Sequence, residues 1–248
     1  TPIVDYWFQK ELKYSVLTPY FEDNSLESQF QFPLKYRKKS YRKTFEWLNE
    51  NCQKIITSDL DYEIPMQKMG FETTFIPNPI NIDKIAFQNT EIKDKIVILL
   101  GINRLSYIKK GIIYFEKALE IIRERYADEI EIIVTENLPY NDYILQYNKA
   151  TILLDQVFAY DQGYNALEAM AKGKVVFTGA ETEFLNQYQL QEDEVCINAL
   201  PDENQIAAKI SFLIEHPEKI MEISKNARNF VEKEHDYKTI AAKYLACW

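Results

Sequence analysis

Two loops of this sequence contain residue types that could bind a phosphorylated ligand. In the first loop, Arg104 and Lys110 stand six positions apart, just after a run of apolar residues. In the second, residues 163–176 (GYNALEAMAKGKVV) have the pattern of a turn, a short helix, a glycine stop and a hydrophobic strand. The first N–H groups of a helix lack intrahelical partners and attract anions, and paired cations neutralise a diphosphate. The two loops together predict an anion site.

Glu168 lies on the same short helix and adds a hydrogen-bond acceptor to this site. Its neighbours are nearly all apolar, and a lone carboxylate among them is costly unless it is paired or used. It could accept hydrogen bonds from hydroxyls attached to the anion, and a phosphate with vicinal hydroxyls describes a nucleotide. The alternatives remain open at this point: an exposed acid on a surface helix, and a solvated basic loop around Arg104 and Lys110.

An alternation of strands and helices positions these residues. The predicted strands are 95–101, 129–134, 150–157, 174–178 and 195–197, and the predicted helices are 111–126, 139–148, the short helix with Glu168, 203–215, 217–233 and 237–245. This order predicts an α/β fold with a Rossmann-like, doubly wound parallel sheet. Ligands of such sheets bind at the carboxyl ends of the strands, so loops 101–110, 135–140 and 158–164 should line one crevice.

Residues 1–85 do not follow this alternation. Residues 42–52 and 63–69 have helical patterns, residues 54–58 (KIITS) resemble a short strand, and residues 75–81 (FIPNPIN) form a turn-rich connector. Such a connector is a plausible domain boundary. The chain begins without Met, which suggests a part of something longer.

Composition excludes several classes of function. The formal net charge of −9 argues against nucleic-acid binding, which needs a basic face. Three widely separated cysteines and two histidines indicate neither a disulfide framework nor a zinc site, and they favour a reducing, cytoplasmic compartment. The glycines form neither GxGxxG nor GxxxxGK[ST]. Asp59-Leu60-Asp61 has the letters of an acidic pair that could hold a divalent cation, but it lies in the irregular N-terminal region and not after a strand of the alternating part. We therefore expect chemistry without a metal or a cofactor.

The segment Lys35–Lys43 (KYRKKSYRK) has six cations in nine residues, interleaved with two tyrosines. In an acidic chain, this segment could contact an anionic membrane surface or an anionic acceptor. A solvated helix face is the simpler interpretation. No apolar run approaches the roughly 20 residues that cross a bilayer.

Three segments in this order resemble the donor-binding half of GT-B fold glycosyltransferases of the large group 1 (family 4) class. Residues 76–81 (IPNPIN) are similar to the interdomain IPNGVD of that family, residues 101–111 to its GRL…KG, and residues 167–176 (LEAMAKGKVV) to its EAMACGKPVI. The resemblance covers roughly residues 50–235. It implies a retaining, metal-independent transfer of a sugar from a nucleoside-diphosphate sugar to a carbohydrate or lipid-linked acceptor, with cell-envelope polysaccharide biosynthesis as the expected context.

The resemblance also implies roles for individual residues. Arg104 and Lys110 would bind the donor diphosphate and act in catalysis, and Glu168 would bind the ribose hydroxyls. Backbone N–H groups near the helix start would hold phosphate oxygens, and the loop at 136–139 would flank the base. The residues implied in donor binding besides Glu168 are Gly163, Tyr164, Asn165, Ala166, Asn137 and Leu138.

One position departs from the family. The first acid of its Glu-(seven residues)-Glu motif, which contacts the transferred sugar, falls at Tyr160, and Asp161 or Gln162 are the candidates to replace it. Two other functions therefore stay open: a non-catalytic nucleotide-binding Rossmann module, and an epimerase acting on the nucleotide sugar.

The domain organisation that follows from the resemblance has three parts. Residues 1–82 form part of an acceptor-side region with the connector, residues 83–233 form the donor-binding domain, and residues 234–248 form a helix that packs back on the N-terminal region. The acceptor domain of the family needs far more chain than residues 1–85. We expect a cytoplasmic protein that can associate peripherally with the inner face of the cell membrane.

Overall fold

The structure is a computed structural model that describes residues 1–88, 92 and 94–247. The chain divides into two compact units, Thr1–Asn78 with Lys238–Trp248 and Pro79–Tyr237. Residue 248, the last of the predicted C-terminal segment, lies outside the described residues. The predicted domain limits at 82 and 233 remain predictions.

The first unit is mainly helical. Its only described strands, β1 and β2, pair in parallel through Ile56 with Thr74 and Thr57 with Phe75. The predicted helix at 63–69 begins earlier, because the Asp59 carboxylate accepts a hydrogen bond from the N–H of Tyr62 and caps the helix. In chain order the elements are α1 (Pro2–Gln9), α2 (Thr18–Glu22), a 3₁₀ turn (Asn24–Phe30), α3 (Gln31–Leu34), a 3₁₀ turn (Lys35–Arg37), α4 (Lys39–Asn51), β1 (Ile56–Thr57), α5 (Leu60–Lys68) and β2 (Thr74–Phe75).

The second unit is built on a parallel sheet of five strands, β3 (Ile96–Ile102), β4 (Ile130–Glu136), β5 (Ile152–Leu154), β6 (Val175–Thr178) and β7 (Ile197–Asn198). The strands lie in the order β4-β3-β5-β6-β7, and every pair is parallel. This confirms the predicted α/β class with a doubly wound parallel sheet. The predicted strand at 150–157 was too long, because the N–H of Val157 donates to the carbonyl of Lys110 and not to the sheet.

Helices cover this sheet, with α7 (Ile112–Arg125) packed against α11 (Glu203–Glu215) and α9 (Tyr164–Ala171) packed against α12 (Pro217–Glu234). Ile98, Leu99 and Leu100 of β3 are completely buried, as expected for a strand covered on both faces. No helix in the described part of the chain is long and apolar enough to span a bilayer. The helices of this unit are α6 (Tyr107–Lys110), α7 (Ile112–Arg125), α8 (Tyr140–Lys149), α9 (Tyr164–Ala171), α10 (Thr182–Tyr188), α11 (Glu203–Glu215) and α12 (Pro217–Glu234), and a 3₁₀ turn spans Ile82–Lys84. From Lys238 onward, α13 (Tyr237–Ala246) belongs to the first unit.

The strand order places a switch point beside β3. From β3 the chain goes to β4 on one side, then to β5 on the other side, and it continues outward through β6 and β7. Adjacent crossover connections therefore diverge at the carboxyl ends of β3 and β5 and leave a crevice between them, where ligands of open α/β sheets bind. The loops that end at Lys110 and at Gly163 both begin there.

Candidate functional site

Lys110 is held next to the loop that follows β5. It ends the one-turn helix α6, and its carbonyl accepts a hydrogen bond of 3.0 Å from the N–H of Val157. Gly111 follows with φ of 65°, and a Cβ atom there would lie 2.3 Å from Cγ2 of Val157. The glycine therefore permits both the left-handed backbone and the close approach of the two loops.

Asp155 is the ion-pair partner of Lys110 at the switch point. Its Oδ1 lies 2.7 Å from Nζ of Lys110, and its side chain is only 2% exposed. Nδ2 of Asn165 also donates to Oδ1 at 2.9 Å, and the hydroxyl of Thr178 donates to Oδ2 at 3.4 Å. A buried carboxylate is costly unless it is paired and hydrogen-bonded, and these three donors supply both conditions.

Asp155 was not among the predicted site residues, because the predicted strand 150–157 contains it. The available signal was its position as a single acid within the apolar run 150–157. In the structure β5 ends at Leu154, so Asp155 is the first residue beyond the strand. It therefore stands where ligand-binding residues of parallel sheets are found.

The start of α9 is fixed by Asn165 and two tyrosines of α8. The Tyr143 hydroxyl donates to Oδ1 of Asn165 at 3.2 Å, and the Tyr147 hydroxyl donates to its backbone carbonyl at 3.1 Å. Gly101 at the end of β3 makes room for the Tyr143 ring, because a Cβ atom there would lie 2.7 Å from Cε2. Gly163 is the N-cap of α9 and caps it with no side chain, which suits a helix start that receives an anion.

Burial keeps both tyrosine hydroxyls protonated. It raises the pKa of Tyr143 to about 12, with a further contribution from the negative charge of Asp155. Burial, followed by the charge of Tyr143 and that of Glu168, raises the pKa of Tyr147 well above its usual value. Both groups therefore remain hydrogen-bond donors to Asn165 at neutral pH.

Arg104 lies on the same loop as Lys110 but in a more exposed setting. Its guanidinium forms an ion pair of 2.6 Å with Glu136 at the end of β4, and about half of each side chain is exposed. The hydrogen bond to Glu136 raises the pKa of Arg104, and the same bond lowers the pKa of Glu136. Exposed ion pairs contribute little to stability, so Arg104 can exchange this partner for another anion at small cost.

The loop predicted to flank a base follows β4 directly. Asn137 adopts φ of 47°, and its N–H donates to the carbonyl of Ile102 at 2.8 Å. Its Oδ1 accepts a hydrogen bond of 3.1 Å from the N–H of Arg104, so the loops after β3 and β4 are joined. The side chain of Leu138 is 41% exposed and offers an apolar surface there.

Glu168 lies on the second turn of α9 and is half-buried. Within the described ranges, its carboxylate has no hydrogen-bond or ion-pair partner. It therefore keeps its full capacity to accept hydrogen bonds from a ligand. Its predicted role with ribose hydroxyls remains a prediction.

The three residues that stand at or beside the missing acid of the family are buried. Nε2 of Gln162 donates to the carbonyl of Gly179 at 2.7 Å, and the carbonyl of Tyr160 accepts from the N–H of Glu181 at 3.1 Å. Gly179 permits this packing, because a Cβ atom there would lie 2.3 Å from the carbonyl oxygen of Ala159. The structure thus ties the segment around Asp161 to the loop after β6.

The structure therefore divides the predicted residues into three groups. Lys110 and Asn165 converge on the buried Asp155 at the switch point, with Gly163, Tyr164 and Ala166 at the start of the same helix. Arg104 and Asn137 are joined beside β4. Tyr160, Asp161 and Gln162 are packed below the solvent-accessible surface.

A doubly wound parallel sheet with a cation and a helix start at its switch point defines a Rossmann-like domain, as expected from the resemblance to the GT-B type. A family profile for glycosyl transferase-like proteins matches residues 108–246. The chain belongs to this glycosyl transferase-like family. No curated protein matches the chain.

Solved structures of similar fold include sucrose-phosphate synthase from Thermosynechococcus elongatus, with a TM-score of 0.62 and 18% identity over 85% of this chain and 61% of that one. TarM, also solved from S. aureus, has a TM-score of 0.64 and 13% identity over 84% of this chain and 46% of that one. Anabaena HepE, solved with UDP and glucose, has a TM-score of 0.62 and 15% identity over 86% of this chain and 69% of that one. The chain thus spans only about half to two thirds of these proteins.

Proposed function

We propose that this protein is a retaining glycosyltransferase that transfers a sugar, of the hexose type, from a nucleoside-diphosphate sugar to an acceptor. The observation that carries the proposal is the position of Lys110, held by Asp155 at the switch point beside the start of α9 in a chain of the glycosyl transferase-like family. Support comes from proteins of similar fold that were solved with UDP and glucose, or with UDP and α-GlcNAc-glycerol.

Each part of the site has a role in this proposal. The bond between the sugar and a diphosphate oxygen breaks, so negative charge grows on the departing diphosphate. The oxygen of an acceptor hydroxyl forms the new bond to the sugar, and the proton of that hydroxyl passes to the departing diphosphate. Arg104 and Lys110 stabilise that charge, and the N–H groups near Gly163 and Asn165 bind phosphate oxygens. Glu168 accepts hydrogen bonds from the ribose. Asn137 and Leu138 flank the base.

Metal independence is part of the proposal. The two cations supply the positive charge that a divalent ion supplies in other phosphoryl and glycosyl chemistry. Turnover of the purified protein is therefore expected to be unchanged in excess EDTA. A loss of turnover that returns on adding Mg²⁺ or Mn²⁺ contradicts this part.

For the acceptor we propose a carbohydrate or lipid-linked glycan of the cell envelope, reached from the cytoplasmic face of the membrane. Next to the basic segment Lys35–Lys43, α4 exposes Trp47 at 61% and Leu48 at 43%, a combination suited to an anionic membrane surface. Asp5 already pairs with two cations of the segment, at 3.3 Å and 2.6 Å. Cosedimentation with phosphatidylcholine vesicles, with and without phosphatidylglycerol, tests the contact. Equal binding to both vesicle types contradicts it.

A second candidate is a nucleotide-binding module without transferase activity. The observation that favours it is Tyr160, which stands buried where the family has the acid that contacts the sugar. A panel of UDP- and GDP-sugars separates the two functions, with release of UDP or GDP as the readout. Release above the rate of an Arg104→Ala, Lys110→Ala double variant supports the transferase. Nucleotide binding without release from any sugar supports the module.

A further inference from the structure

The buried cluster at the switch point has an internal geometry that points to a role beyond those proposed above. The cluster consists of Lys110, Asp155, Asn165 and Thr178, with the Tyr143 hydroxyl attached to Asn165. It connects four parts of the site: the end of α6, the residue after β5, the first turn of α9 and the end of β6. None of the roles proposed above for Lys110 or Asn165 explains why an acid lies between them.

We propose that Asp155 is a positioning residue that sets the Lys110 ammonium and the first turn of α9 for a nucleoside diphosphate. This inference rests on the proposed function of the site. Asp155 itself does not touch the nucleotide, because its side chain is 2% exposed and lies beneath Lys110, which is 31% exposed. It acts through the two residues that it holds.

The number of donors shows how the cluster can work. A lysine ammonium has three N–H donors, and Asp155 accepts one of them at 2.7 Å, which leaves donors for phosphate oxygens. The same Oδ1 accepts from Asn165 at 2.9 Å, so one carboxylate oxygen fixes the distance between the cation and the helix start. A phosphate that binds both then meets a site already in place.

Two effects of Asp155 oppose each other. Its negative charge weakens the attraction of Lys110 for a diphosphate, whereas its hydrogen bonds remove the rotamer freedom that a free lysine loses on binding. That freedom is equivalent to up to about thirtyfold in an equilibrium constant. Asn at this position separates the effects, because its amide oxygen can accept from Lys110 and Asn165 while its amide group can donate to the Thr178 hydroxyl.

The test is a double-mutant cycle on binding of UDP and GDP by calorimetry. Asp155→Ala is expected to weaken binding about tenfold, and Lys110→Met about tenfold or more. Asp155→Ala added to Lys110→Met is expected to cause less than a threefold further loss, because the remaining effect passes only through Asn165, which Tyr143 and Tyr147 also hold. Asp155→Asn should bind within threefold of the wild type or more tightly.

Three results overturn the positioning role. The first is an affinity of Asp155→Ala within threefold of the wild type. The second is a double variant whose loss of affinity is the product of the two single losses. The third is a loss of affinity in Asp155→Asn as large as that in Asp155→Ala. Melting temperatures separate unfolding from loss of binding. Asp193→Asn is the matched control, because Asp193 pairs with Lys209 at 2.8 Å and lies outside the site, so nucleotide affinity should not change.

A readout without nucleotide separates this inference from the proposed function. Acylation of lysines by an amine-reactive ester, followed by mass spectrometry, gives the rate of Lys110 modification relative to Lys209. The ion pair should slow acylation of Lys110 at least threefold in the wild type compared with Asp155→Ala. If UDP and GDP do not bind but this protection is found, the proposed function fails while Asp155 still positions Lys110. Equal rates of Lys110 acylation in the wild type and in Asp155→Ala overturn the inference, whether or not UDP or GDP binds.

Discussion

Replacing Lys110 with Met removes the charged partner of a buried acid, and its cost can be worked out from the cluster. Asp155, with 2% of its side chain exposed, would keep only Asn165 and Thr178 as donors. Breaking a buried ion pair costs about 3–5 kcal/mol. Because Lys110 is 31% exposed and two donors remain, we expect the free energy of unfolding to fall by about 2–3 kcal/mol.

A lysine with more exposed partners in the same unit provides the control. Lys209 is 26% exposed, similar to Lys110, and lies 2.8 Å from Asp193 and 3.1 Å from Glu192, but these acids are 30% and 69% exposed. Lys209→Met should therefore cost no more than about 1 kcal/mol. Adding Asp155→Asn to Lys110→Met should restore most of the lost stability, because a neutral amide needs no counter-charge.

Urea unfolding, followed by tryptophan fluorescence and circular dichroism, gives the free energy of unfolding of four proteins. They are the wild type, Lys110→Met, Lys209→Met and the double variant with Lys110→Met and Asp155→Asn. The difference between the two lysine variants tests what determines the loss of stability. We expect it to depend on the burial of the acid and not on the distance between Nζ and the carboxylate oxygen. Equal losses in Lys110→Met and Lys209→Met would refute the reasoning. So would a double variant that is less stable than Lys110→Met.

The other predictions concern single changes in the second unit. Gly111→Ala should lower the free energy of unfolding by about 2–4 kcal/mol in urea, because φ is 65° and the new Cβ would lie 2.3 Å from Val157; a loss under about 1 kcal/mol contradicts this. Burial and then the charge of Lys172 lower the pKa of Lys174 from 10.5 to about 8, so the wild type should gain up to about 3 kcal/mol in free energy of unfolding as pH rises from about 8 to 10.5. Lys174→Met should lack that rise and be more stable than the wild type at pH 7, and an identical pH dependence of both proteins refutes the assignment. Arg104→Ala should weaken UDP or GDP binding at least about tenfold without changing the melting temperature; unchanged affinity contradicts its proposed role.

The sequence predicted those parts of the fold that depend on local pattern. Residues 95–101 form an apolar run, and β3 occupies Ile96–Ile102. The strand predicted at 174–178 is β6 (Val175–Thr178), and Gly173 ends the helix before it with φ of 84°. Apolar runs and glycine stops act within a few residues, so a single sequence contains enough information to place them.

The parts that were missed depend on which strands become neighbours. β3 lies beside β5, although β4 separates them along the chain, and this order brings Asp155 to Lys110. The residues of the run 150–157 do not themselves indicate where the strand ends. The N–H of Val157 donates to the carbonyl of Lys110, a residue far away in the sequence, and this hydrogen bond takes the chain out of the sheet. For the same reason the sequence indicated the helix start at Gly163 but not the contacts of Asn165 with Tyr143 and Tyr147.

A crystal structure of the protein grown with millimolar UDP or GDP shows where the nucleotide binds. We expect the diphosphate to lie within hydrogen-bond distance of Nζ of Lys110 and of the first N–H groups of α9. We also expect that the ribose contacts Glu168, and that Arg104 has left Glu136 for a phosphate oxygen. A nucleotide bound away from the switch point, or one whose phosphates contact neither Lys110 nor α9, contradicts this expectation.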